Sequence, residues 1–380
     1  MHMKAVTYQG VRTIEVKEVP EPRIERPDDV IVRLTASGIC GSDLHLVSGM
    51  VPDLPKDFVL GHEPLGIVEE VGPEVRHVKK GDRVVIPFNV SCGECFYCRH
   101  GLESQCDNAN ENAEVGAVFG FSEEGGGFPG AQAEYLRVPY GNYLPFRVPE
   151  DCELTDERLV LISDVLPTAY WSAENAGVKP GVTVVVLGCG PIGLATQKMC
   201  WLMGAERVIA VEAVDYRLDH ARRTNRVDTV KFESPKETGY LIKEMTGGGA
   251  DIVIDCVGME AKMTPLEYVE TMLKIQGGSL SALSTAVQAV RKGGVIQVTG
   301  LYGMRYNGFP YGDIYSRNVT LKGGLAPAVR YMPVVYDLMA QGRLDPADIV
   351  THVMPLSEAK EGYEIFAKRK QHCIKVILRP

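Results

Sequence analysis

The feature that most constrains this chain is a glycine-rich turn set between an apolar run and a helical stretch. Thr183-Val184-Val185-Val186-Leu187 is continuously apolar, as expected of a parallel strand covered on both faces. Gly188-Cys189-Gly190-Pro191-Ile192-Gly193 follows at once, and the pattern predicts a helix over 194–203. A G-x-G-x-x-G run alone is a weak signal. Here it has a strand before it and a helix after it, and Glu212 ends a second strand-like run, 19 residues beyond the third glycine. In that setting the three glycines have distinct tasks. Gly188 makes the turn, Gly190 lets a pyrophosphate approach the backbone, and Gly193 lets helix pack on strand. The helix N-terminus then faces the phosphates, and Pro191 and Ile192 in the turn are counted with the glycines as cofactor-binding. The reading is an α/β unit, a doubly wound parallel sheet holding a dinucleotide. Further strands are predicted at 252–257, 295–301 and 319–322, and a helix at 168–177. Two helical stretches, 263–275 and 279–290, are split by Gly277-Gly278. They are long for one crossover and are expected to line the cofactor cleft or form a subunit contact.

The first 90 or so residues read differently. Short runs at 12–16, 30–34, 65–71 and 82–86 are separated by Pro and Gly, the pattern of a barrel-like or sandwich β domain. A cluster spaced C-x2-C-x2-C-x7-C follows: Cys92, Cys95, Cys98 and Cys106. Four thiolates this close predict a closed, tetrahedral, structural zinc site, with disulfides or an iron–sulfur cluster as the competing readings. Earlier, Cys40 and His62 lie 22 residues apart in Gly-flanked, loop-like positions. They offer a thiolate and an imidazole, two good zinc donors. Ser42 and His45 stand close enough in sequence to pass a proton, and Glu63 is a carboxylate beside a donor.

Composition bounds the alternatives. A chain of 380 residues suggests two domains. Net charge is −9 with no basic stripe, which argues against nucleic acid. No apolar run reaches the roughly 20 residues of a membrane helix. Met1-His2-Met3-Lys4 leads directly into a strand-like run, so no signal peptide is expected and a cytoplasmic location is.

Taken together, Gly61-His62-Glu63, the cluster Cys92 to Cys106 and Gly188 to Gly193, in this order, resemble the zinc-containing medium-chain alcohol dehydrogenase family. The stretches Ile39-Cys40-Gly41-Ser42-Asp43, Val85-Ile86-Pro87-Phe88-Asn89-Val90 and Ser163-Asp164-Val165-Leu166-Pro167-Thr168 look most like its glutathione-independent formaldehyde dehydrogenase branch. The resemblance implies a GroES-like β-barrel catalytic domain over 1–165 with a zinc lobe near 90–110. It implies a Rossmann-type cofactor domain over 166–325 and a return to the first domain over 326–380. It also implies a catalytic zinc held by Cys40, His62 and Asp164, besides the structural one. Liver-type members have a cysteine where this chain has Asp164. The competing reading of Asp164 is a cap on the helix beginning near Pro167.

The same resemblance gives Ser42 a hydrogen bond to the substrate oxygen and His45 the onward proton. It gives Glu63 a place beside the zinc ligands, and Lys375 a contact with the cofactor pyrophosphate. Glu212 at the end of the second strand favours NAD, because a carboxylate binds ribose hydroxyls and repels a 2′-phosphate. Arg217 pulls the other way, although NAD-using relatives also carry a basic residue there. The expected partner is a small alcohol or aldehyde, in a homo-oligomer, tetramer over dimer. A polyol, sugar or amino-alcohol dehydrogenase is the nearest rival. A non-catalytic nucleotide-binding relative would be expected to have lost a ligand or relay residue.

Overall fold

The computed structural model describes residues 1–50, 54–111, 115–258, 278–303 and 306–380. The helix expected over 263–275, and Gly277 after it, lie outside the described residues. The chain divides into two compact units, Met1–Pro167 with Pro327–Pro380, and Thr168–Ala326.

In the first unit a mixed sheet runs in the order His352–Pro355, Val376–Arg379, Val30–Ile39, Pro64–Val71, Arg83–Val85, Phe146–Arg147, with Tyr135–Val138 also paired to Val30–Ile39. A hairpin, His2–Gly10 with Thr13–Pro20, and a short ladder, Asn89–Val90 with Ala117–Val118, complete its strands among the described residues. The strand expected to stop at Leu34 continues to Ile39. It does so because its later residues find partners on both sides: Ser37 faces Pro64 on one strand and Leu378 on another. That register matters for chemistry. The chain leaving Ile39 and the chain entering Pro64 are at the same end of an antiparallel pair, which brings Cys40 beside His62 and Glu63. Among the described residues its two larger apolar clusters are accompanied by a small one around Ala5, Val59 and Ala133. One of the larger two gathers Val32, Val68, Ile86, Phe119 and Leu136; the other gathers Ile39, Leu46, Tyr363, Phe366 and Val376.

In the second unit six strands among the described residues, all parallel, run in the order Asp228–Lys231, Arg207–Glu212, Thr183–Leu187, Ala250–Asp255, Val290–Val298, Thr320–Gly323. Counted along the chain this is 3-2-1-4-5-6, the doubly wound order whose direction reverses beside the first strand. Val185, Ile209, Val253 and Ile296, fully buried, form its core with Ala286 and Val287 of the helix Ser281–Ala289. The continuous apolar reading of Thr183–Leu187 is explained by cover on both faces.

Candidate metal centres and dinucleotide turn

Cys40 is the single residue between the strand ending at Ile39 and the helix that follows. It precedes a seven-residue helix, Gly41–Val47, and its backbone N–H donates to Asp43 Oδ2 at 2.9 Å. An acid at this position satisfies an orphan N–H and favours the helix start. Ser42 and His45 lie on this helix, three residues apart. His45 is 5% exposed, so it is not a surface histidine. Asp164 follows the buried turn Val160–Ser163, pinned where Phe88 N donates to Ser163 O at 3.0 Å. Its backbone ψ of −64° is not the extended ψ of a helix N-cap.

These segments bring four donors together. The ligand atoms of Cys40, His62, Glu63 and Asp164 all lie within 4.8 Å of one another. Asp164 Oδ2 is 3.7 Å from both Cys40 Sγ and His62 Nε2. Bonds of about 2.3 Å to sulfur and about 2.0 Å to nitrogen or oxygen put tetrahedral ligand atoms roughly 3.3–3.5 Å apart. The set is therefore nearly at zinc spacing. Ser42 Oγ lies 3.2 Å from His62 Nε2, on the same side. His62 Nδ1 faces the other way, 3.2 Å from Asp43 Oδ1.

The electrostatics also suit a cation. Burial pushes the Cys40 thiol up, only partly offset by His62. Burial disfavours the His62 imidazolium, yet Asp43 and Asp164 outweigh that and hold its pKa well above the histidine range. A dication among these groups would favour thiolate and neutral imidazole instead.

Glu63 is fully buried. Its Oε1 accepts a hydrogen bond from Lys375 Nζ, while Oε2 has no hydrogen-bond partner among the described residues. A Cβ at residue 38 would collide with this carboxylate, so Gly38 makes room for it. The resemblance assigns Lys375 to a pyrophosphate; the structure puts its ammonium on Glu63 instead, with no exposed surface. A buried ammonium needs a carboxylate, and burial, which works against the charge, is outweighed by Glu63, Cys40 and Asp164.

The second centre is the cysteine cluster. Cys92 Sγ and Cys98 Sγ are 4.0 Å apart, Cys95 Sγ and Cys106 Sγ 3.9 Å. A disulfide needs about 2.05 Å, and none of the ten cysteines is in a disulfide. Four thiolates at about 2.3 Å from zinc would sit roughly 3.8 Å apart, which fits. Cys92 Sγ accepts from the backbone N–H groups of Glu94 and Cys95 at 3.3 Å, and Cys106 Sγ from Cys92 N at 3.3 Å. Such donors stabilise negative sulfur.

In the second unit Gly188 has φ +91°, and a Cβ there would press on Val257. A Cβ at Gly193 would collide with the Gly188 carbonyl, whereas Gly190 is open apart from Arg217 Nη1 at 3.8 Å. Gly190 caps the helix Pro191–Leu202, with Pro191 and Ile192 in its first turn. Glu212 is folded onto this turn. Its Oε2 accepts from Cys189 N at 3.0 Å, and Oε1 from Ala213 N at 2.7 Å and Val214 N at 3.1 Å. Arg217 Nη1 is 4.0 Å from Glu212 Oε2.

Sequence reading missed Asp43, Gln132 and Tyr363, which stand in line behind His62. Asp43 had a signal in the Cys40-x-x-Asp43 spacing at a helix start. Gln132 and Tyr363 had none, because only the fold brings them there.

Two family models match the chain, the alcohol dehydrogenase GroES-like domain over residues 26–150 and the zinc-binding dehydrogenase model over residues 191–272. An uncharacterized zinc-type alcohol dehydrogenase-like protein, AdhB, of Bacillus subtilis is 59% identical over 378 residues, covering 100% of both chains. The glutathione-independent formaldehyde dehydrogenase of Pseudomonas aeruginosa is 32% identical over 96% of this chain and 94% of its own. The solved alcohol dehydrogenase TADH of Thermus sp. ATN1 superposes with a TM-score of 0.85 at 34% identity, over 99% of each chain. No helix among the described residues is long and apolar enough to cross a membrane. With a full-length relative at this identity, a GroES-like β unit and a parallel nucleotide-type sheet, the chain belongs to the zinc-type, medium-chain alcohol dehydrogenase family and is a zinc-dependent oxidoreductase.

Proposed function

We propose that this enzyme moves a hydride between a small alcohol, or an aldehyde hydrate, and NAD, with one catalytic and one structural zinc per chain. The observation that carries the reading is the buried set Cys40, His62 and Asp164, with Glu63 alongside. When bound, zinc supplies Lewis acidity that lowers the pKa of a coordinated hydroxyl, and NAD takes the hydride. Cys40 Sγ, His62 Nε2 and an Asp164 oxygen would hold the metal. Lys375 engages Glu63 Oε1, which leaves three protein donors and one position for substrate. Ser42 Oγ, beside His62 Nε2, can take the proton from the substrate hydroxyl. His45, buried one turn on, would carry it outward. The role of the first unit is thus catalysis and that of the second is cofactor binding. The 32% identity to a formaldehyde dehydrogenase supports a place near that branch. Ten cysteines outside any disulfide fit a reducing, cytoplasmic setting, and a homo-oligomer is the expected assembly.

Two measurements test this. Metal analysis of fully loaded protein is expected to give two zinc per chain; one would refute the pair of sites. A panel of small alcohols, aldehydes, polyols, sugar alcohols and amino alcohols, each with NAD and NADP, is expected to show turnover with NAD and a short alcohol or aldehyde. Turnover confined to polyols or amino alcohols would move the substrate class.

Cofactor choice is expected to depend on Glu212. Glu212→Ala should raise the NADP/NAD ratio of kcat/KM, since a carboxylate that repels a 2′-phosphate is removed beside Arg217. Because Glu212 also accepts from Cys189 N, the variant should weaken both cofactors through a looser turn. An unchanged ratio would show that Glu212 does not face the ribose.

Metal binding is expected to release protons. Burial holds the Cys40 thiol up, and in the cluster the Cys98 thiol is held up by its hydrogen bond to Cys106, which is itself lowered to about 5. Protonated thiols compete with zinc, so affinity falls as pH drops. Calorimetric zinc titrations in buffers of different ionisation enthalpy should show net proton release at neutral pH; no buffer dependence would contradict this.

A further inference from the structure

Behind His62 lies a row of buried polar groups, Asp43, Gln132 and Tyr363. Asp43 Oδ2 accepts from Cys40 N and also from Gln132 Nε2 at 3.1 Å. Gln132 Nε2 lies 3.2 Å from Gly38 O, and Gln132 Oε1 accepts from Tyr363 OH at 2.8 Å. Asp43 and Gln132 have no exposed surface, and Tyr363 is 5% exposed. The three come from separate segments: the helix after Cys40, the chain leading into Tyr135–Val138, and the helix Ala359–Ala367.

The orientation of the Gln132 amide follows from its neighbours. A carboxylate oxygen accepts only, so the NH2 end must face Asp43. Tyr363 selects that orientation by donating to the other end. Burial holds its hydroxyl well above the ordinary tyrosine range, so it keeps its proton. The backbone of Gln132 is pinned on both sides, its N–H to Leu60 O and its carbonyl to Val6 N, each at 2.8 Å. Its side chain packs on Gly61, where a Cβ would collide with it. With two N–H donors on Oδ2, the Asp43 carboxylate cannot rotate freely, and Oδ1 is presented to His62 Nδ1. The two atoms lie 3.2 Å apart, a charge contact without hydrogen-bond geometry, and a metal on Nε2 would leave the His62 ring proton on Nδ1, facing this carboxylate.

We propose that Gln132, oriented by Tyr363, is a positioning residue that aims His62 through Asp43 and so tunes metal affinity at the Cys40–His62–Asp164 set. This rests on the reading of His62 as a metal ligand.

The test uses enzyme loaded with Co2+ at both centres. It follows release to EDTA, the visible ligand-field bands of each centre, and the melting temperature. Loss of an outer-shell partner typically costs 10–100-fold in metal affinity, and Gln132 is one layer further out. Gln132→Leu is therefore expected to speed cobalt release from the His62 centre by about tenfold and to shift its bands. Tyr363→Phe, which removes one oxygen, should move both in the same direction, by about threefold. Release from the cysteine cluster should stay at the wild-type rate in both variants, which a general loosening would not allow. Unchanged release and bands in both variants would overturn the proposal, as would equal acceleration at the two centres. His62→Ala separates the two levels. If it still holds cobalt with wild-type bands, the ligand reading itself fails. If it loses that metal while Gln132→Leu and Tyr363→Phe behave as wild type, only the positioning role fails.

Discussion

Asp164→Ala is expected to lose the metal held with Cys40 and His62, and hydride transfer with it. The loss should exceed the roughly 10–100-fold that removing an outer-shell partner costs, because a ligand is removed outright. Asp164 Oδ2 sits 3.7 Å from Cys40 Sγ and from His62 Nε2, so one cation can bridge all three. Asp164→Cys supplies the thiolate found in liver-type members. It should keep the metal and alter the rate, since sulfur donates more charge than oxygen. Asp164→Asn retains the shape but loses the charge, and should bind metal weakly. A helix cap predicts another ranking: Asn nearly silent, and Ala costing only about 0.5–2 kcal/mol of stability with activity intact. The backbone ψ of −64° already disagrees with a cap. Zinc content and kcat measured on the three variants decide the matter. Wild-type zinc and turnover in Asp164→Ala would remove the ligand assignment.

Legibility in the sequence followed the range of the interactions. The dinucleotide-type turn was readable because each of its constraints is local. Gly188 needs a positive φ, Gly193 must clear a carbonyl five residues back, and the strand before them is apolar from Val184 to Leu187. The cysteine cluster was readable for the same reason, its donors lying within one short stretch. The strand ends were less readable. Val30–Ile39 outruns its local pattern because its last residues are held by Pro64–Val71 and by Val376–Arg379, more than 300 residues away. The helix Gly41–Val47 was hidden by flanking glycines, although Asp43 marks its start.

The site shows the same division. His62 and Cys40 could be proposed from residue type, but Asp164 could be placed only by resemblance, since 102 residues separate it from His62. The partner of Lys375 could not be read at all. A lysine in a C-terminal strand carries no sign that its ammonium will meet a carboxylate 312 residues earlier. Burial then explains the pairing, because neither charge could be placed alone in this interior.

The other large effect concerns the cysteine lobe. Its regular elements are short, Phe96–Arg99, Glu103–Gln105 and Asp107–Ala109. Two of its large apolar side chains, Phe96 and Leu102, are 64% and 48% exposed. Such a segment buries too little apolar surface to offset the entropy of ordering it. The polar tie from Glu103 Oε1 to Arg330 Nε at 3.2 Å is half-exposed on the arginine side and adds little. The four sulfurs, all within 4.8 Å of one another, are what can hold it, through a metal whose binding contributes directly to folding. Cys98→Ser replaces a nearly buried thiolate with a poor zinc donor and leaves three thiols to repel one another when ionised. The expected result is one zinc per chain instead of two, a melting temperature several degrees lower, and a new protease-sensitive stretch between residues 90 and 110. The Cys40 centre should keep its metal in whatever fraction stays folded, so kcat per folded chain should change less than yield. If Cys98→Ser instead retains two zinc ions and melts with the wild type, the cluster is not the clasp described here.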